Sequence, residues 1–426
     1  MKLLSTAACL LLCATAFGQD LRSYVGTNTV PVATLDAAAA ADDYADLAAL
    51  GQAIGEARVV MLGEQDHGDG PAFRAKTRLV KYLHERKGFT VLAFESDFYG
   101  LTTGWDQLAK QPDSIRHFLP RNIYPLWTRS ADCRHLFEQY IPHSFQTANP
   151  LQVSGFDSQI YQRYSYLHLT KDLDRYLVSS GIAGTFASPA AYRQFLAALQ
   201  GRLAEPRAPG AFRPGMRQPL EDGLQRISQA QLAARDASAW PRVVESLRAI
   251  VVENGAAYRL ARDKAMADNL KFLLTTQHKD AKVIVWAANA HIMKRTDQIT
   301  SKAKNFNQVV WHNMGTHFTQ DPHWARQTYV LGFASYQGTT GRVGEAPYAV
   351  EAPDKNGLEN WVPAGMAHGF LDFAAYNRQS NHPATPFLLK SPAHFTIAAR
   401  VAPIAWNLVY DGLFFIREMQ ATTKSE

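Results

Sequence analysis

The chain has 426 residues, of which 46% are hydrophobic, 11% aromatic and 19% charged. That much apolar material excludes wholesale disorder, and 27 glycines with 21 prolines exclude collagen-like and low-complexity architectures. Forty-four basic against thirty-eight acidic residues leave a formal charge of +6 without any long Lys/Arg run, so no nucleic-acid partner is expected.

Met1-Lys2, the apolar stretch 3–12 and the small residues Ala14, Ala16 and Gly18 read as a secretory signal peptide over 1–18, cleaved before Gln19. The expected location is secreted or periplasmic. The apolar run is too short to span a bilayer, and no later stretch is long enough. Cleavage removes Cys9 and Cys13, which leaves Cys133 without a partner for an internal disulfide. A nucleophilic role for Cys133 would need an activating base, and His135 is the only one nearby in sequence.

Residues 19–54 read as a leader with an alanine run at 37–41 and a short helix over 43–54. Val59-Val60-Met61-Leu62 is an apolar run of the kind that forms a strand buried on both faces. The loop 63–70 follows, then a helix from Pro71 to Arg86, capped by Asp69 or Gly70 and ended by Gly88. Thr90-Val91-Leu92-Ala93-Phe94 is the next strand, parallel to the first across a right-handed crossover. Further strands are expected at 151–156, 282–287, 328–334 and 412–416. Residues 160–275 read as a helical insertion broken by the proline-rich loop 204–219. The fold class is α/β: one domain over 55–418, with a mostly parallel central sheet flanked by helices and an insertion walling a cleft.

Ligands bind beyond the carboxyl ends of parallel strands. Here those ends run into Glu64 and His67, into Glu95 and Asp97, into Asp157, and into Asn289 and His291. His67 and Glu95 are one helical crossover apart, so their strands can be neighbours. Two imidazoles and several carboxylates on one rim suit general acid–base chemistry. Each has a bland counterpart: a strand-end carboxylate often caps the next helix, and clustered tyrosines such as Tyr161, Tyr164 and Tyr166 often only pack. His312, His317 and His323 share no carboxylate and read as ordinary loop residues.

The stretch 59–68, the helix bearing Lys76 and Arg78, and Gly88 to Glu95 resemble the erythromycin esterase family. Met266-Ala267-Asp268-Asn269, the strand end Ala287-Ala288-Asn289-Ala290-His291, Met314-Gly315 and Tyr410-Asp411 are similar to its later motifs. The resemblance covers about 55–416. It implies an ester or lactone hydrolase without a serine nucleophile, which agrees with the absence of Gly-x-Ser-x-Gly. It implies His67 as the general base, Glu64 and Glu95 as its orienting groups, and His291 as a second acid/base or carbonyl polariser. Asp66, Lys76, Arg78, Asp157 and Asn289 become candidates for contact with a small-molecule ester substrate. One departure stands out: Gln65-Asp66 replaces the family's usual Ala-Thr, and a carboxylate beside His67 could raise its pKa or bind a cation.

Two other readings stay open. Glu64, Asp66, His67, Glu95 and His291 could hold a divalent metal in a metal-dependent hydrolase, although no His-Glu-x-x-His pair supports it. Alternatively the cleft is a non-catalytic glycan or small-molecule site lined by tyrosines. The presence of both histidines and both glutamates favours catalysis, and the family resemblance carries no expectation of a cofactor.

Overall fold

The structure is a computed structural model describing residues 20–39, 42–204, 212–252, 255–299, 312–390 and 404–425. The expected signal peptide, Cys9, Cys13 and part of the proline-rich loop lie outside them.

The described residues form one nine-stranded sheet. In chain order the strands are β1 (Val30–Pro31), β2 (Val59–Leu62), β3 (Phe89–Asp97), β4 (Gln152–Asp157), β5 (Lys282–Trp286), β6 (Thr328–Thr340), β7 (Tyr348–Ala349), β8 (His368–Asp372) and β9 (Gly412–Met419). Their spatial order is β1-β8-β9-β6-β2-β5-β3-β4, with β7 pairing β6. The six strands from β9 to β4 are parallel, while β8, β1 and β7 are added antiparallel. Every residue of β2 is fully buried, as its unbroken apolar run requires. Val59 and Met61 pack into one core layer and Val60 and Leu62 into the other, so helices cover both faces.

Two expectations are corrected. β2 and β3 are parallel but not neighbours, because β5 lies between them. Strands sit about 4.8 Å apart, so the Gly70–Lys87 helix is long enough to carry the chain over the intervening slot, which a strand nearly two hundred residues later fills. The leader is also part of the body. It contains the Leu21–Asn28 helix, capped by Asp20, and the edge strand β1. Short antiparallel strands such as β1, β7 and β8 leave no clear alternation in sequence, and so they escape pattern reading.

The Gly70–Lys87 helix ends as expected at Gly88, which takes φ +73°, the left-handed region that favours glycine. Asp69 occupies its cap position, but one carboxylate oxygen turns back to the Asp66 amide at 3.1 Å. The insertion is built from the helices Arg163–Ser179, Pro189–Ala204, Arg217–Ala234, Trp240–Val251 and Ala256–Phe272. Among the described residues no helix is long and apolar enough to cross a membrane.

Candidate active site

Strand register brings the site together. Leu62 pairs with Trp286, Trp286 with Phe94, and Phe94 with Gly155. The residues just beyond this row therefore share one edge of the sheet: Glu64 after β2, Ala287 to His291 after β5, Glu95 near the end of β3, and Asp157 closing β4.

Glu64 is fully buried. One carboxylate oxygen accepts from His67 Nδ1 at 2.8 Å and from the Trp127 indole N–H at 2.9 Å. The other accepts from Lys76 Nζ at 2.5 Å. Lys76 is itself buried, donates to the Ala287 carbonyl at 3.2 Å, and lies 4.3 Å from the Trp286 ring centre. Burial pushes its ammonium pKa down, and Glu64 opposes that push. His67 keeps 19% side-chain exposure, the most of these groups, and its ring meets Trp127 edge-on at 5.7 Å.

The second half of the site is an ion-pair network. Arg262 forks onto Asp157 with Nε–Oδ1 at 3.0 Å and Nη2–Oδ2 at 2.6 Å, and Nη2 also reaches Glu95 at 2.9 Å. His291 bonds Asp263 through Nδ1 at 2.6 Å, and its Nε2 lies 3.2 Å from both Glu95 Oε1 and Arg262 Nη1. Glu95 also accepts from the Ala288 amide at 2.9 Å. Burial raises the Glu95 carboxyl pKa, but the charges of His291, Arg262 and His67 outweigh it and hold the pKa well below the usual range. Burial likewise lowers the His291 pKa, yet Asp263 and Glu95 lift it to about 10. Both ring nitrogens of His291 are engaged, Nδ1 by Asp263 and Nε2 between Glu95 and Arg262.

Several sequence candidates have other roles. Asn289 is locked onto β6 through Phe333, donating to its carbonyl at 2.7 Å and accepting from its amide at 3.0 Å. Arg78 ties the leader down by paired bonds to Asp42 and Asp46 at 2.6–2.9 Å. Lys76 and Asp157 belong to the rim but act through Glu64 and Arg262. Asp66 accepts from the Tyr348 hydroxyl and lies 3.8 Å from Arg342, so it clasps the hairpin after β6. Asp97 sits at the end of β3, where it accepts from the Gly100 and Gln162 amides and the Ser165 hydroxyl, each at 2.8 Å. Cys133 is buried, and burial pushes its thiol pKa well up, which makes it a poor nucleophile. His135 bonds to Gln139 at 3.0 Å.

Trp127, Arg262 and Asp263 were missed. The two charged residues come from the Ala256–Phe272 helix, one turn before the fully buried Met266 and Ala267. A charged pair interrupting the sheet-facing side of a helix was the available signal. Met314-Gly315 also finds its reason here. The Met314 amide donates to Asp263 at 2.9 Å, and a Cβ at Gly315 would meet the Ile292 carbonyl at 2.3 Å.

Among the described residues no group of three or more His, Cys, Asp and Glu is arranged to hold a metal. The donor set fits one poorly, because Glu64 already faces Lys76 and Glu95 already faces Arg262 and His291.

A parallel α/β sheet with a buried carboxylate–imidazole pair and an adjoining cationic network at its carboxyl edge defines an enzyme-like site. The chain belongs to the erythromycin esterase family, whose match extends over residues 84–418. That segment begins inside the Gly70–Lys87 helix, so the Glu64–His67 loop precedes it. YbfO of Bacillus subtilis strain 168, provisionally named a hydrolase, is 25% identical over 327 residues, covering 69% of this chain and 68% of its own. Erythromycin esterase type II of Escherichia coli is 25% identical over 286 residues, covering 59% of this chain and 65% of its own. In structure, a Bacillus cereus protein matches with a TM-score of 0.68 at 17% identity, over 95% of this chain and 98% of that one. A histidine-to-asparagine variant of the erythromycin esterase EreC in its open conformation matches with a TM-score of 0.62 at 14% identity, over 92% and 98% of the two chains. These structures support the α/β fold, and the family supports an enzyme of hydrolase type.

Proposed function

We propose that the protein hydrolyses a carboxylic ester or lactone by water that His67 activates. The observation that carries this reading is the 2.8 Å bond between His67 Nδ1 and the buried Glu64 carboxylate. An Nδ1–H donating to that acceptor leaves Nε2 as a lone pair, and among the described residues no protein group bonds it. This is the base half of a catalytic triad with water in place of the serine hydroxyl. Lys76 and Trp127 fix the carboxylate, and the carboxylate fixes the tautomer.

Proton flow follows from this geometry. Water gives its proton to His67 Nε2 as its oxygen attacks the carbonyl carbon. The tetrahedral oxyanion develops beside the Arg262–His291 cations, whose charge is held in place before reaction. Collapse breaks the bond to the leaving oxygen, which takes the proton back from His67. His291 serves as a positioning group in this scheme rather than a second base, because both its ring nitrogens are engaged and Asp263 and Glu95 lift its pKa to about 10 against the effect of burial.

No cofactor enters the scheme, and turnover should be indifferent to a strong chelator. Lost activity that zinc or magnesium restores would favour the metal-dependent reading. The proposal extends to location: the apolar stretch 3–12 followed by small residues supports export. A C-terminally tagged chain should be recovered outside the cytoplasm about eighteen residues short. Recovery there with Met1 intact would contradict it. A glycerol-ester or p-nitrophenyl-ester screen of wild-type protein against Glu64→Gln tests the chemistry, and equal turnover by the two would remove it.

A further inference from the structure

Outside the catalytic rim, two adjoining cavities of about 370 and 420 Å³ share Arg121 and Arg163. The first adds Arg129, Tyr161 and Tyr166, and the second adds His117 and His168. Among the described residues no aspartate or glutamate lines either one.

Other arginines of this surface are paired with carboxylates. Arg116 pairs with Asp113, Arg134 with Glu138, and Arg175 with Asp172. Another groove on the insertion balances Arg248 and Lys264 against Glu221, Glu245 and Asp268. Among the described residues, none of Arg121, Arg129 and Arg163 has a carboxylate partner. The one side-chain bond in the set runs from Arg121 to the His117 carbonyl at 2.8 Å, and most of its guanidinium donors stay available. Like charges gathered without counter-ions repel one another, so the cluster is best satisfied by an outside anion.

The groove is linked to the catalytic site by a chain of hydrogen bonds. Tyr161 donates to the Gln159 side chain at 3.1 Å, and Tyr124 bonds the same side chain at 3.1 Å and Asp157 at 3.2 Å. Asp157 anchors Arg262. Pro125 and Arg129 flank Trp127, which donates to Glu64. Gln159 and Tyr124 are thus the side chains that connect the Tyr161 wall of the groove to Asp157. Tyr166 is 38% exposed, and an open phenol ring beside guanidinium forks can pack against a sugar ring while the forks take its oxyanions.

We propose that this groove is a recognition subsite for an acidic oligosaccharide ester, with carboxylates or similar oxyanions held by Arg121, Arg129 and Arg163 and the ester presented to His67. The proposal rests on the hydrolase reading for the ester, but the binding step stands apart from catalysis and is tested separately. The probe is tetragalacturonate, titrated calorimetrically into full-length protein, with maltotetraose as its neutral counterpart and sodium sulfate as an isolated anion. Tetragalacturonate should bind at least about tenfold more tightly than either control, and salt should weaken it. His67→Ala should bind it as wild type does. The Arg121→Gln/Arg163→Gln double variant should lose at least about tenfold in affinity while hydrolysing uncharged p-nitrophenyl acetate at the wild-type rate, since neither arginine touches the rim. Equal binding of maltotetraose, unchanged binding by the double variant, or sulfate binding as tightly as the oligomer would each overturn the subsite. Groove binding with an unaffected His67→Ala enzyme would overturn the hydrolytic mechanism alone.

Discussion

Glu64 serves three donors with two oxygens, and each donor comes from a different part of the chain. Its charge is needed twice, to orient His67 and to neutralise the buried Lys76. Glu64→Gln should therefore lower kcat by about 10² or more, because the amide can accept or donate and no longer selects one imidazole tautomer. It should also destabilise the protein by about 3–5 kcal/mol by stranding the Lys76 ammonium. Adding Lys76→Met should recover much of the melting temperature but none of the activity. A Glu64→Gln protein as stable as wild type would show that Lys76 is not held in this way. Arg262→Lys keeps the charge but loses the fork onto Asp157 and the second reach to Glu95, so it should cost kcat far more than stability. At this scale Glu64, His67, Glu95 and His291 were readable, because each follows a buried apolar run. Arg78 and Asn289 were not distinguishable from ligand-binding residues, since their partners lie 32–44 residues away in sequence.

The loop after β2 is held by the hairpin of β6 and β7. Tyr348 donates to Asp66, and Gly68 packs so tightly that a Cβ would meet the Gly341 carbonyl carbon at 2.4 Å. Backbone cannot yield as a side-chain tip can, so Gly68→Ala should displace loop or hairpin and lower turnover through the adjacent His67. Asp66→Thr should increase hydrogen exchange across 341–349 by releasing the clasp. Unchanged exchange there would remove the structural account of Asp66 and restore its reading as a tuner of His67. The strands were legible from their burial on both faces, and the insertion from its helical periodicity. Strand order was not: nothing local tells β5 to enter between β2 and β3. That choice depends on long-range packing of two core layers, and it is what delivers Ala288 to Glu95.

Over the whole molecule, the buried ion pairs link stability to pH. His291 holds its proton up to about 10 in the fold, whereas a histidine in the unfolded chain releases it near 6.5. Its contribution is complete below about 6.5 and is lost as pH rises towards 10. Glu95 runs the other way: its contribution is present above about 4.5 and is lost as pH falls through its depressed value. The stability gap between wild type and His291→Gln, measured by denaturant titration, should therefore narrow between pH 7 and 10. A constant gap would mean that His291 is not charged in the fold.

The claim on which the rest depends is that His67 is the base. The measurement is kcat/KM of His67→Ala on an ester that the wild-type enzyme cleaves, with and without added imidazole, at matched thermal stability. The account predicts a loss of about 10² or more with an unchanged melting temperature, and partial recovery as free imidazole fills the space beside Glu64. Turnover equal to wild type in a folded His67→Ala protein would contradict it, leaving the family's fold without this chemistry.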